Sequence, residues 1–242
     1  TYVSLPPKKS LLFIVPALLI ALLYGTLPSL LGDDTNYYLP FINWLSEYGV
    51  VPGLGNLHSR LAYNSSWHSL SALFSYDFMP NMRFNDINGF LFVLFALHAF
   101  ERLPRYDFIT FFRLFSFSAI LILAKRLSAP SADFAVAVIV WILVAYVLEI
   151  MQDRFSKEKR LMEFYVTLLA VFLVTVKLSA FPVLLLPFWL LLRRFCWKRF
   201  LGWGIVGVLV VFPWIAQNRV LSGYPVYPVP QLPAFAVDWK VP

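Results

Sequence analysis

The chain has 242 residues, of which 60% are apolar, 18% aromatic and 14% charged, with a mean hydropathy of +0.72. Soluble globular chains are about 45–50% apolar and roughly 25% charged, so this composition excludes an ordinary soluble domain, a disordered chain and a nucleic-acid-binding module. The net charge of +7 fits basic residues on the cytoplasmic flanks of membrane helices and needs no nucleic-acid partner.

A helix crossing the roughly 30 Å hydrocarbon core needs about 20 apolar residues. The first such run is 11–31, behind Pro6-Pro7-Lys8-Lys9. A basic start and an apolar stretch also mark a secretory signal, but this run exceeds an h-region and no small-x-small site closes it. A retained first span is therefore expected. Residues 32–86 form a first outer loop, in which Trp67 to Met79 reads as a short, serine-rich helix at the interface. Residues 87–103 make a second span, 107–124 a third that carries Arg113, and 134–151 a fourth.

In 164–192 the only charge is Lys177. A single helix there would be about 43 Å long, too long for one upright span. Ser179 and Pro182 follow the lysine, so two spans joined by a tight turn over 177–182 are expected, the second arm borrowing Arg193 and Arg194 as snorkelling ends. Residues 200–219 make the seventh span, and 221–242 leave the bilayer as an outer tail rich in Tyr and Pro. The expected architecture is all-α: residues 1–242 form one polytopic transmembrane helix bundle of about seven spans, six of them within 87–220, with no internal repeat. The chain starts without Met and stops in a proline-rich stretch, so it is expected to be a piece of a longer protein.

Charge sets the sidedness. With the N-terminus inside, the inner loops hold 12 of the 20 basic residues, among them Arg102, Arg105, Arg154, Lys159, Arg193, Arg194 and Arg199. The outer regions hold 7: Arg60, Arg83, Lys125, Arg126, Lys177, Arg219 and Lys240. A single span over 164–192 would put Arg193, Arg194, Lys198 and Arg199 outside, against the positive-inside rule.

This topology gathers polar residues on the outer face. Asp33 and Asp34 follow the first span directly, at the lipid boundary, where ionisable groups are costly and mark function. A carboxylate there could take the proton of an acceptor hydroxyl or hold a divalent cation; equally, Asp is a good N-cap, and Asp34 could simply start a helix ending near Tyr48. Asp133 carries the same two readings, with Ser131 or Asp133 capping the fourth span. His58 and His68 could ligate a metal beside the aspartates, though interfacial hydrogen bonding is the simpler role, and no metal ligand is assigned. Lys177, Arg219 and Arg60 could bind the phosphate of a lipid carrier or snorkel to headgroups. Asn64-Ser65-Ser66 fits a glycosylation sequon, and Pro52-Gly53-Leu54-Gly55 lacks the Lys-Ser/Thr ending of a phosphate loop, so its glycines are expected in tight turns. The single Cys196 excludes an internal disulfide and a cysteine metal cluster.

Several stretches together resemble the GT-C superfamily of polytopic glycosyltransferases, and more narrowly a group of bacterial membrane proteins near it. They are Glu47-Tyr48-Gly49-Val50-Val51-Pro52-Gly53-Leu54-Gly55-Asn56-Leu57-His58 with Asn64-Ser65-Ser66-Trp67, then Ser131-Ala132-Asp133, Lys177-Leu178-Ser179-Ala180-Phe181-Pro182 and Pro213-Trp214-Ile215-Ala216-Gln217-Asn218-Arg219. The resemblance implies a sugar donor on a polyprenyl phosphate, a glycan or lipid acceptor, and transfer on the outer face of a bacterial cytoplasmic membrane. It maps one catalytic acid to Asp33 or Asp34 and a second to Asp133, with His58, Arg60, Asn64, Lys177 and Arg219 as substrate-binding candidates. The rival expectations are a transporter or flippase of lipid-linked saccharides, and a polymerase or ligase that joins preassembled chains.

Overall fold

A computed structural model describes residues 8–29, 32–74, 87–103, 105–152, 157–193, 196–229, 231–232 and 235–242. Leu30 and Leu31 of the expected first span, the loop stretch 75–86 with Arg83, and the inner-side Arg154 and Arg194 lie outside the described residues. Among the described residues the fold is all-α, with no strand.

Helices α1 (Lys8–Gly25), α4 (Ile87–Phe100), α5 (Phe108–Leu121) and α6 (Ala132–Gln152) pack around Phe92, Phe95, Ala96, Phe117, Ile120 and Phe134. Small Ala17 and Ala21 on α1 let that helix lie close against α4, where Gly89 faces Ala21. A second core joins α6 to α7 (Lys157–Val176) and α8 (Leu185–Arg193) through Leu143, Val166, Ala170, Leu173 and Leu190. Between α7 and α8 the chain breaks at Lys177, which is extended, and a 3-10 segment, Leu178–Leu184, turns it back along α7. Helix α9 (Trp197–Ser222) also packs on α7 and ends at Gly223, whose φ of +80° is the left-handed conformation glycine supplies at a helix C-terminus.

Among the described residues two helices are long and apolar enough to cross a membrane, α6 with 21 residues and α9 with 26. Apolar helices α4 and α5 have 14 residues each, shorter than the runs in the sequence. Their ends are set by the charged corner between them: Asp107 caps α5 by accepting the Thr110 N–H at 2.7 Å, and Arg102 bonds the same carboxylate at 2.7 Å. Much of the apolar surface faces outward. On α9, Ile205, Val208, Leu209 and Phe212 are each more than 60% exposed, and on α1 so are Leu12 and Leu19. Apolar surface on this scale is unusual on a soluble monomer.

The loop between α1 and α4 covers one end of this bundle. It contains a π-helical stretch, Asp34–Tyr38, that runs into α2 (Leu39–Tyr48), two 3-10 turns, Leu54–Asn56 and Ser59–Ala62, and α3 (Ser66–Leu73). Phe41, Leu54 and Leu61 pack on Leu221 at the end of α9. Gly53 makes a turn at φ +69° and also leaves room for the tail, since a Cβ there would lie 2.8 Å from the Trp239 side chain; Gly55 gives room alone, as its Cβ would lie 2.7 Å from both Ala62 and Val241 side chains. The tail folds back over this corner, with the Val241 N–H bonded to the Ser222 carbonyl at 3.0 Å and Asn56 Nδ2 to the Trp239 carbonyl at 2.8 Å.

Candidate functional site at the loop-covered end

Three segments distant in sequence converge at this end. The start of α6 is placed by Asn88 on α4, which is wholly buried: its Nδ2 donates to the carbonyls of Ala129 at 2.7 Å and Ser131 at 3.1 Å, and its Oδ1 accepts the Trp67 indole N–H at 2.9 Å. Ser131 then caps the helix by accepting the Asp133 N–H at 3.3 Å. That leaves the Asp133 side chain free of the capping role and turned to Lys177, with which it forms a direct ion pair, and to Arg126 at 3.7 Å. Lys177 is presented by the break after α7, and Ser65 Oγ fixes that break by donating to the Val176 carbonyl at 2.8 Å.

The adjacent carboxylates of the first loop have opposite fates. Asp33 makes no capping bond; its side chain is half-exposed and pairs with Arg60 at 2.8 Å. Arg60 in turn lies over the Tyr37 ring, 5.1 Å from its centroid, within cation–π range. Asp34 is wholly buried and neither carboxylate oxygen has a hydrogen-bond partner. Burial, with a smaller contribution from the Asp33 charge, pushes its carboxyl up to about 6.

Asp33 and Asp133 line one cavity of about 410 Å³, together with Gly32, Asn36, Tyr38, Arg126 and Ser131. Burial, then a hydrogen bond to Tyr37, holds the Tyr38 hydroxyl above its ordinary range, so it stays a neutral donor. The cavity thus offers two solvent-reachable carboxylates, each beside a cation, and a phenol. Such a set can accept a proton from a hydroxyl and hold an anionic group.

The other expected site residues fall elsewhere. His58 is tied into its own turn, its Nδ1 accepting the Arg60 N–H at 3.2 Å. Asn64 is buried: its Nδ2 donates to the Trp214 carbonyl at 3.0 Å and its backbone carbonyl accepts the Trp214 indole N–H at 3.2 Å, so the sequon presents no surface amide. Arg219 is exposed at the end of α9, with its guanidinium 5.0 Å from the Phe235 ring centroid. His68 is buried against Tyr38 and Phe41, and burial pushes its imidazole down to about 4. Among the described residues no three His, Cys, Asp or Glu side chains group to hold a metal ion.

Arg126, Tyr38 and Asn36 join the cavity without having been singled out from the sequence. Arg126 carried one usable signal, its place among the outer basic residues. Tyr38 and Asn36 carried none beyond lying next to the acids.

A model of the domain of unknown function DUF8201 matches residues 1–242, the whole chain, and the protein belongs to that family. No curated protein and no solved structure matches it.

Proposed function

We propose that this member of the DUF8201 family is a multi-pass membrane glycosyltransferase of the GT-C type. It would move a sugar from a polyprenyl-phosphate donor to a glycan or lipid acceptor at the outer face of a bacterial cytoplasmic membrane. The observation that carries the proposal is the meeting of Asp33 and Asp133, a hundred positions apart in the chain, on one cavity with Arg126. The outward apolar faces of α1 and α9 and the excess of basic residues in the inner loops support a seven-span arrangement. Short α4 and α5 fit a bilayer that thins locally around them.

In this mechanism Asp33, whose oxygens reach solvent, accepts the proton of the acceptor hydroxyl as the new bond forms at the anomeric carbon. The bond from that carbon to the phosphate oxygen breaks, and the lipid phosphate leaves with the electron pair. Lys177 and Arg126 stabilise the negative charge on that phosphate, a contribution that is large where donors are fixed in advance. Asp133 orients both cations. Buried Asp34 has no oxygen exposed to a substrate.

The test is release of polyprenyl phosphate from radiolabelled undecaprenyl-phosphate monosaccharides by the full chain in proteoliposomes. Asp33→Asn is expected to lower release by about 100-fold or more, the range of a lost general base, while Asp34→Asn keeps it within about tenfold of wild type. Unchanged release in Asp33→Asn, Asp133→Asn and their combination would remove the reaction centre.

A further inference from the structure

Buried polar atoms at the loop-covered end divide sharply into two groups. Asn88 satisfies all its polar atoms within the protein, and Ser65, Ser71 and Ser222 each donate to a carbonyl. In contrast, both ring nitrogens of His68, both amide atoms of Asn218 and Oδ1 of Asn64 have no partner. His68 is 3% exposed and Asn218 wholly buried. Native interiors leave few such atoms unpaired, and those that remain call for an explanation.

These residues face one seam. Trp214, Asn218, Leu221 and Ser222 form the buried stripe of α9. At one end of the stripe Trp214 bonds Asn64; at the other Leu221 packs on Phe41. Phe41 is also a ring neighbour of His68, at 5.9 Å, and Ser69 beside His68 bonds Gln217 beside Asn218 at 3.3 Å. Asn218 thus lies on the α9 stripe between the Trp214 and Leu221 contacts, and both Asn218 and His68 sit one residue from the bond that joins α9 to α3. The Tyr38 ring joins this seam to the reaction cavity: it lines the cavity and lies tilted against the His68 ring, 4.8 Å between centroids.

We propose that the seam is a binding subsite for the uncharged, hydroxyl-rich part of the substrate, entered when the Tyr38 ring swings aside. The chemistry matches. A neutral imidazole offers one donor and one acceptor, and a carboxamide offers both. None of His68, Asn64 and Asn218 carries a charge, so the seam suits sugar hydroxyls, while the cations of the cavity suit a phosphate. A site that hydrogen-bonds hydroxyls in a buried setting also discriminates strongly against ligands lacking them. This rests on the glycosyltransferase proposal above for the substrate class, and adds which residues read the sugar.

The experiment uses the full chain in nanodiscs and follows tryptophan fluorescence, since Trp67 and Trp214 flank the seam. Methyl glucoside, methyl galactoside and methyl mannoside are titrated separately, and undecaprenyl phosphate in parallel. At least one glycoside is expected to bind saturably. His68→Leu and Asn218→Leu should each weaken it tenfold or more and leave undecaprenyl phosphate within twofold, and Tyr38→Ala should bind the glycoside as well as wild type or better. His68→Gln and Asn218→Ser, which keep a polar group, serve if a leucine variant fails to fold. Glycoside binding indifferent to the seam variants, or equal loss of both ligands, overturns the subsite. Binding of undecaprenyl phosphate with no glycoside also overturns it but leaves the glycosyltransferase proposal standing. Binding of neither ligand overturns both.

Discussion

Asp34 gives the sharpest test of how the first loop is built. Its carboxyl is wholly buried, lacks a partner for either oxygen, and is pushed from 3.8 to about 6 by burial first and the Asp33 charge second. A shift of about two pH units, at about 1.4 kcal/mol each, places roughly 3 kcal/mol against the ionised folded state. The sign follows from linkage. Below pH 4 the carboxyl is protonated both folded and unfolded, and the penalty is absent. Between about 4 and 6 the unfolded chain ionises first, so the fold loses stability as pH rises, and above about 6 the loss is complete. Asp34→Asn keeps the shape and removes the charge. It should therefore match wild type near pH 4 and exceed it by about 3 kcal/mol at pH 8, or roughly 6–12 °C in Tm for a chain of this size. Thermal unfolding in detergent at the two pH values measures this. An equal effect at both pH values, or destabilisation at pH 8, would show that Asp34 has a charged partner and would refute the burial account.

Three further perturbations probe the scaffold. Asn88→Ala removes three buried bonds, to Trp67, Ala129 and Ser131; a loss of about 2–4 kcal/mol is expected, read by thermal unfolding, with Asp133 and Lys177 displaced in the variant's structure. Arg113→Ala leaves buried Glu149 without its direct partner and with Arg102 at 3.7 Å, so the loss should approach but not exceed about 3–5 kcal/mol; the double variant Arg113→Met, Glu149→Leu should recover most of it, and an equal loss in both would point to packing rather than charge. Gly55→Ala brings a Cβ to 2.7 Å from Ala62 and Val241, an overpacking of about 1–3 kcal/mol that should loosen the tail at 223–242 and speed its cleavage in limited proteolysis.

How much of this was legible in the sequence depended on whether a signal was one-dimensional. The break at Lys177 was, because a lone charge followed by Ser179 and Pro182 interrupts an otherwise apolar run. So was the placing of Asp33 and Asp133 at one end, because two apolar runs, 87–103 and 107–124, lie between them and return the chain to the end it left. The division of labour between Asp33 and Asp34 was not. Neighbouring helical residues point about 100° apart, and which of them faces inward depends on how the stretch 34–38 packs. Asn64 and His58 looked like ligand-binding residues because they sit in a polar loop, yet their partners are 150 residues away in one case and two in the other. The length of α4 was also hidden: hydropathy continues past Phe100, but the Arg102–Asp107 corner ends the helix first.

The two ends of the bundle differ in what their charges achieve. At the far end from the loop, Arg113 pairs directly with Glu149, both nearly inaccessible, while Arg199 bonds buried Glu163 at 3.0 Å and Lys159 bonds the Ile150 carbonyl at 2.7 Å. Removing one member of such a pair strands a buried charge, so these groups hold the helix ends together. At the loop-covered end, the Asp33–Arg60 and Asp133–Lys177 pairs are about 40–50% exposed, and pairs so exposed add only about 0–1 kcal/mol. The fold has little need of them. Nonetheless Asn88, Ser131 and Ser65, all buried, fix the backbone on which Asp133 and Lys177 stand. Rigid, buried support beneath side chains that contribute little to stability is the arrangement a reaction centre requires, since chemistry depends on fixed geometry at exposed groups. It follows that substitutions of Asp33, Asp133 or Lys177 should leave unfolding nearly unchanged while altering activity, and substitutions of Arg113 or Glu163 should do the reverse. If Asp133→Asn and Lys177→Gln lowered the Tm as far as Arg113→Ala does, the loop-covered end would be one more structural clasp, and the cavity beside it would lose its claim to chemistry.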